Sequence, residues 1–453
     1  VAQRVDELMA REWKKNKIVP TEQADDAEFH RRIYLDLVGR VPTADNVRDF
    51  LASREPNKRA KLVDTLLRDS AHHAHFARLW RELLVPTIDL QERQAQQPLE
   101  TWLRDQFANN TKYDQLTRAL ITANARDTTP AAIYARSFNR DPGNAAAATA
   151  RVFLGVRLEC ARCHNHPFAS WTRDQFWQLA AVFEDMEDVP FRVAWAPRIR
   201  IPDTTRVVMA ALPDGTAVKE QPGAPRDQLS RWIAKPDNAF FARATVNRIW
   251  TLLCGSSLAE LVEDGEDPPM HASACDELAR EFVRSGFDIR FLIRTITATQ
   301  AYQFTSMRTH ESQDDPKAFS RMAIKPLSGD QLADTISVVF LTNDVDTRNA
   351  ILLRFSGSDG ETTILQALWW MNGDVVSRST NATSRALIHI TNTFLPIAEK
   401  VEELFLLTLN RKPTKGESER FVKYITANAK QQNRAIADVF WVLLNSTEFS
   451  VNH

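Results

Sequence analysis

One short run carries most of the chain's reactive side chains: Cys160-Ala161-Arg162-Cys163-His164-Asn165-His166-Pro167-Phe168. It holds two of the four cysteines and two of the ten histidines. The form Cys-x-x-Cys-His is the attachment signature of c-type haem. In that chemistry the thiols of Cys160 and Cys163 add to the haem vinyl groups, and His164 becomes an axial ligand to iron. The spacing is demanding, because tether and ligand must reach one flat ring from a single turn of chain. The same residues admit a second chemistry. Two thiolates with one or both imidazoles of His164 and His166 make a tetrahedral zinc or iron set, which suits a mononuclear metal hydrolase. The third reading is structural: a thiol pair or local disulfide, with histidines that only cap a turn.

The motif needs elements to hold it. After the turn Asn139-Arg140-Asp141-Pro142-Gly143, Asn144 is read as the cap of an alanine-rich helix that runs through Phe153 towards Leu158. That helix delivers the chain into Cys160. On the other side, Thr172-Arg173-Asp174-Gln175 reads as a capping box. Phe176, Leu179, Ala180 and Phe183 then mark the inward face of the following helix. The motif is therefore expected in a connection between two capped helices. A haem iron also takes a second axial ligand. The stretch from Ala71 to Leu84 places His72 and His75 on its apolar stripe, with His73 pointing away. A histidine on such a face is more often a hydrogen-bonded core residue than a ligand.

Composition narrows the classes. The chain has 453 residues, an ordinary apolar share of 43% and a formal net charge of −1. It is long enough for two or three domains. No Lys/Arg run or basic patch of the kind nucleic-acid binding needs is present. No apolar run approaches the ~18 residues of a membrane span. Glycine is scarce while Leu, Ala, Glu and Arg abound, which favours helix. Four cysteines in so long a chain make no disulfide framework. No paired carboxylates, nucleotide loop or Ser/His/Asp order stands out, so no substrate follows.

The expected fold is mainly α: a helical domain over residues 1–188, a small β or irregular insertion over 189–222, and a second helical domain over 223–453. In the insertion, Phe191-Arg192-Val193-Ala194-Trp195 and Arg206-Val207-Val208-Met209 read as short strands, and Pro213-Asp214-Gly215-Thr216 as a turn. Cys254 and Cys275, on two later helices, are read as separate buried thiols or, in an exported protein, a disulfide. Trp369-Trp370-Met371-Asn372-Gly373 either lines a pocket or fills a core. The two ends of the chain echo each other. Tyr34-Leu35-Asp36-Leu37-Val38-Gly39-Arg40-Val41-Pro42-Thr43 aligns without a gap with Phe405-Leu406-Leu407-Thr408-Leu409-Asn410-Arg411-Lys412-Pro413-Thr414. Gly39 and Asn410 are the residue types that best tolerate a left-handed helix end, and Thr43 and Thr414 are caps. A duplicated helical hairpin is expected.

The run Arg32 to Thr43 and the stretch Gly155 to Phe168 together resemble the planctomycete cytochrome-c-like domain family, a domain of unknown function. Pro236-Asp237-Asn238, Arg243 to Trp250, Arg280-Glu281-Phe282 and Leu443 to Phe449 resemble the companion domain, also of unknown function, that follows it. The resemblance implies an exported, periplasmic or extracellular protein that works with a redox partner or an extracellular assembly. With the motif it implies covalent haem c on Cys160 and Cys163, with His164 as proximal ligand and Arg157 or Arg162 pairing with a propionate. The distal candidates are His75, His271, His72 and Met270. The companion domain's usual Asn-Pro-Pro-Ser-His loop reads Asp267-Pro268-Pro269-Met270-His271 here, so Met270 departs from the pattern while His271 is kept. His166 stands too close to His164 to reach the opposite face of a haem and is read as a supporting residue. The function expected is electron transfer or service as a redox-enzyme subunit, with zinc or iron as the alternative cofactor.

Overall fold

The computed structural model describes residues 1–86, 90–167, 170–184, 197–219, 224–259, 269–342, 344–355 and 364–453. The protein is 63% helical, with 24 α-helices and two sheets of two strands among the described residues. That share makes the mainly α class plain. The proposed strand Phe191–Trp195, the motif's Phe168, and Asp267 and Pro268 lie outside the described residues.

The chain divides into two compact units, neither of them a continuous stretch. The first comprises Val1–Lys17, Phe76–Thr87 and Gln91–Thr299, and the second Ile18–His75, Ile88–Leu90 and Gln300–His453. The dividing point at His75/Phe76 falls inside the helix Ser70–Leu84. Sequence order and packing thus partition the molecule differently.

In the first unit the helix Ala239–Cys254 lies at the centre. Asn238 caps it by accepting from the Phe240 amide, and Gly255 closes it in a left-handed conformation. Its apolar face buries Phe241, Val246, Ile249, Trp250 and Leu253. It packs against the helix Ala272–Arg284 and against a short π-helical turn, Ala150–Leu154. The amino-terminal helix Ala2–Lys15 buries Val5, Met9 and Trp13 and packs against Ala272–Arg284. Its Arg4 pairs with the buried Glu277. Cys254 and Cys275 are buried and are not bridged in a disulfide, and burial pushes the Cys275 thiol up to about 12. The strand Val207–Met209 forms as expected, but its partner is Arg198–Arg200. This hairpin packs on the helix Arg173–Ala181.

The second unit shows the repeated hairpin. Helix Asp26–Val38 ends at Gly39 with φ +75°, and helix Ile397–Thr408 is followed by Asn410 with φ +59°. Thr43 then caps Ala44–Ala52, and Thr414 caps Lys415–Ala427 through a reciprocal box with Glu417. In each hairpin the residue past the helix end supplies the reversal and the threonine captures the free amides of the next helix. The two hairpins meet directly, Ala44–Ala52 lying against Ile397–Thr408. They share one apolar core that includes Leu35, Val41, Ile336, Leu404, Phe405 and Phe440.

Candidate functional site

The motif sits in the first unit, where the geometry around it is built from the chain outward. Asp141 caps the alanine-rich helix Pro142–Thr149, accepting from the Gly143 and Asn144 amides. The cap is therefore Asp141 and not Asn144, a correction that the Asp-Pro pair at a helix start explains: the proline ring suits the first helical position and the carboxylate the one before it. The helix widens into the π turn Ala150–Leu154 and stops at Gly155. Val156 and Leu158 are buried and pin the following segment.

Cys160 and Cys163 then lie on a single tight turn. The 3₁₀ helix Glu159–Arg162 carries the first, and the Cys163 amide donates to the Cys160 carbonyl at 3.4 Å. Between the two cysteines Ala161 is fully buried, so the turn is seated by its alanine while both thiols face solvent. Neither thiol is in a disulfide. His164 is exposed, and its Nδ1 lies 2.7 Å from the Asn165 carbonyl oxygen. A carbonyl only accepts, so Nδ1 carries a proton, and in the neutral ring that tautomer leaves the lone pair on Nε2. His166 is half-buried, and its amide donates to the Trp171 carbonyl at 2.8 Å.

The exit side is equally tied. The Thr172–Gln175 capping box forms as read from the sequence. The Asn165 side chain accepts from the Arg173 amide at 3.0 Å, which joins the motif to that helix start. Trp177, on the same helix, donates its Nε1 proton to the Arg162 carbonyl at 3.0 Å. Arg162 itself bonds Asp141 at 2.7 Å and Asn144 at 2.8 Å and lies over the Trp177 ring. Burial tends to raise the Asp141 carboxyl, but hydrogen bonds from Arg162 and Asn144 and the guanidinium charge outweigh it and hold the carboxyl below the ordinary range. Arg162 is thus a clamp between the two helices flanking the motif, while Arg157 is exposed. Asp141, Asn165 and Trp177 escaped the sequence reading as motif supports. Only the Asp-Pro start carried a legible signal.

The remaining predicted residues are placed as follows. His271 belongs to the motif's unit, buried at the start of Ala272–Arg284 with its ring edge-on to Trp13 at 6.4 Å. Met270 beside it is half-buried. His72 and His75 belong to the other unit. The His72 Nδ1 lies 2.8 Å from the Leu37 carbonyl oxygen, and the His75 ring covers Gly39 so closely that a Cβ there would meet its Nδ1 at 2.4 Å. His73, expected to point outward, is buried as well. Among the described residues no three His, Cys, Asp or Glu side chains converge to hold a metal ion. The donor set of the motif nonetheless fits covalent haem attachment: two free, outward thiols on one turn and an imidazole whose Nε2 is left to bind.

Comparison with known families agrees with this order of parts. Residues 4–188 match PSCyt2, a protein family of unknown function (DUF1549). Residues 225–350 match PSD1, likewise a protein of unknown function (DUF1553). The two domains follow one another from amino to carboxyl end, and the motif lies in the first. No curated protein and no solved structure matches the chain.

Proposed function

We propose that the chain is an exported c-type haem protein that transfers electrons or serves as a redox subunit for a partner protein. The observation that carries this reading is the His164 side chain. Its Nδ1 proton is engaged by the Asn165 carbonyl, which orients the ring and leaves Nε2 available, the arrangement a metal-binding histidine uses. Cys160 and Cys163 would hold haem covalently from the same turn, and haem when bound supplies one-electron chemistry to the site. The chain's own residues hold the turn. Ala161 seats it, Trp177 and Asn165 fix its exit, and Arg162 clamps its flanks through Asp141. With Arg162 so engaged, pairing with a haem carboxylate falls to the exposed Arg157. Of the distal candidates, His271 and Met270 share the motif's unit, and both are carried forward. Among the described residues no helix is long and apolar enough to cross a membrane.

The test is expression of the full chain with c-type haem maturation machinery. A Soret band and haem that stays with the polypeptide on a denaturing gel are expected, and both should vanish in Cys160→Ala/Cys163→Ala. Protein made this way without either signal sinks the haem reading. Stoichiometric zinc or iron without porphyrin, measured by mass spectrometry, would move the site to the metal alternative.

A further inference from the structure

The second unit contains a cleft of about 690 Å³ that the motif does not involve. Its walls come from the helices Val345–Phe355, Ile364–Asn372, Asp374–Ser379 and Arg385–Thr391. The pair Trp369-Trp370 is divided between two tasks there. Trp370 is buried, stacks near Phe449 and donates its Nε1 proton to the Leu444 carbonyl at 3.1 Å, so it belongs to the core. Trp369 is half-buried, leans edge-on against Phe355, and lines the cleft. The turn that follows is built for close approach. The Gly373 amide donates to the Trp369 carbonyl at 2.7 Å, and a Cβ on Gly373 would stand 2.4 Å from that oxygen. Only glycine permits this turn, which positions Trp369 at one side and Asn372 at the other.

Around the indole the lining is polar and mixed in sign: Asn372, Asp346, Asp374, Arg378 and Arg385 face the same space, with threonine and serine hydroxyls between them. Asp374 and Arg378 pair at 3.3 Å. Asp344 is spent on capping, accepting from the Asp346 and Thr347 amides and the Thr347 hydroxyl. The mixture discriminates among ligand classes. An anion would meet the carboxylates and a cation the two guanidinium groups. A wholly apolar molecule would shut these polar groups off from solvent without a partner, at a cost. A neutral ligand with both a donor and an acceptor on most of its atoms, and one apolar C–H face for the indole, satisfies every wall. We infer that this cleft binds a sugar ring, with Trp369 as the stacking platform and Asp346, Asn372 and the arginines as hydroxyl partners. Its volume lies within the ~300–1,000 Å³ span of small-molecule sites. The inference is independent of the haem reading.

Saturation-transfer NMR on the full chain tests it, with glucose, galactose, mannose, fucose and N-acetylglucosamine and their β-linked disaccharides as the probes. Saturation transfer to the C–H protons of at least one of these sugars is expected. Trp369→Ala should weaken that binding roughly tenfold, the loss expected of one aromatic contact. Asp346→Ala should weaken it by a similar factor, and this exposed side chain can be removed without disturbing the core. Thermal melts confirm that each variant is folded. No transfer from any probe overturns the inference, and so does binding that both folded variants retain undiminished.

Discussion

Two regions of the molecule are rich in charged and chemically capable side chains, and they use them in opposite directions. In the motif turn of the first unit, Cys160, Cys163 and His164 point to solvent, and the turn is held by backbone contacts and by its neighbours. In the second unit, the helix Asp26–Val38 turns Arg31, Arg32 and Asp36 inward, all three nearly free of solvent. Arg31 donates to the carbonyls of Thr408, Glu448, Phe449 and Val451 and to the Asn410 side chain. Arg32 bonds the Tyr302 carbonyl and pairs with Glu28, and Asp36 accepts from Tyr302, Lys325 and Asn452. Burial lowers the basicity of Arg31, to about 10. Polar side chains are a latch in one place and presented reagents in the other. The buried charges are costly to leave without their partners, whereas exposed thiols and imidazole on an anchored turn carry no such penalty.

The comparison breaks most visibly at Arg31. Arg31→Met should leave several buried carbonyls and Asn410 without their donor and cost about 3–5 kcal/mol, read by urea unfolding. A loss below about 1 kcal/mol would mean that the buried cluster is as dispensable for folding as the motif.

The next effect concerns histidines. His30, stacked on Phe50 with ring centroids 4.5 Å apart, is buried, and its Nδ1 has no hydrogen-bond partner among the described residues. Burial, opposed by the Asp26 charge and aided by the Lys58 charge, pushes its pKa down to about 3. The unfolded chain therefore takes up a proton near pH 6.5 that the folded chain refuses. Stability contributed by neutral His30 is present above pH 6.5 and is lost as pH falls towards 3, at up to about 1.4 kcal/mol per pH unit. His30→Phe should flatten that part of the stability–pH curve, read by urea unfolding at a series of pH values.

Gly39→Ala comes third. It forces a side chain into a φ of +75° and against the His75 ring, so a loss of about 1–3 kcal/mol is expected in the thermal melt. The smallest stability effect is predicted for Cys160→Ala and Cys163→Ala, within about 0.5 kcal/mol of the parent, because both side chains are exposed and unbridged. A larger loss would turn the motif into a structural staple.

Much of the helical framework was legible because its signals are local. Thr43, Thr172, Asn238 and Thr414 cap helices through amides two or three residues on, and Gly39 and Asn410 supply reversals where they stand. The repeated hairpin was readable for the same reason. The motif was legible as chemistry, and its place between two capped helices followed from the flanking signals. What held it in place was not: Trp177 reads only as one more apolar position of an amphipathic helix, and its bond to the Arg162 carbonyl spans 15 residues. The strand Val207–Met209 had the right texture, but its pairing with Arg198–Arg200 is a property of two segments together.

By itself, then, the sequence determined the mainly α class, several helix starts and stops, the echo between the two ends, and a single turn carrying Cys160, Cys163 and His164. Each of these depends on interactions within a few residues, where type and spacing are sufficient. Tertiary structure alone decided that the compact units are discontinuous, that Arg31, Arg32 and Asp36 face inward, and that Trp370 fills a core while Trp369 lines a cleft. Those outcomes rest on partners hundreds of positions away, such as Asn410 for Arg31 and Asn452 for Asp36. A buried charge is tolerated only where such partners arrive together, and no local pattern encodes their arrival.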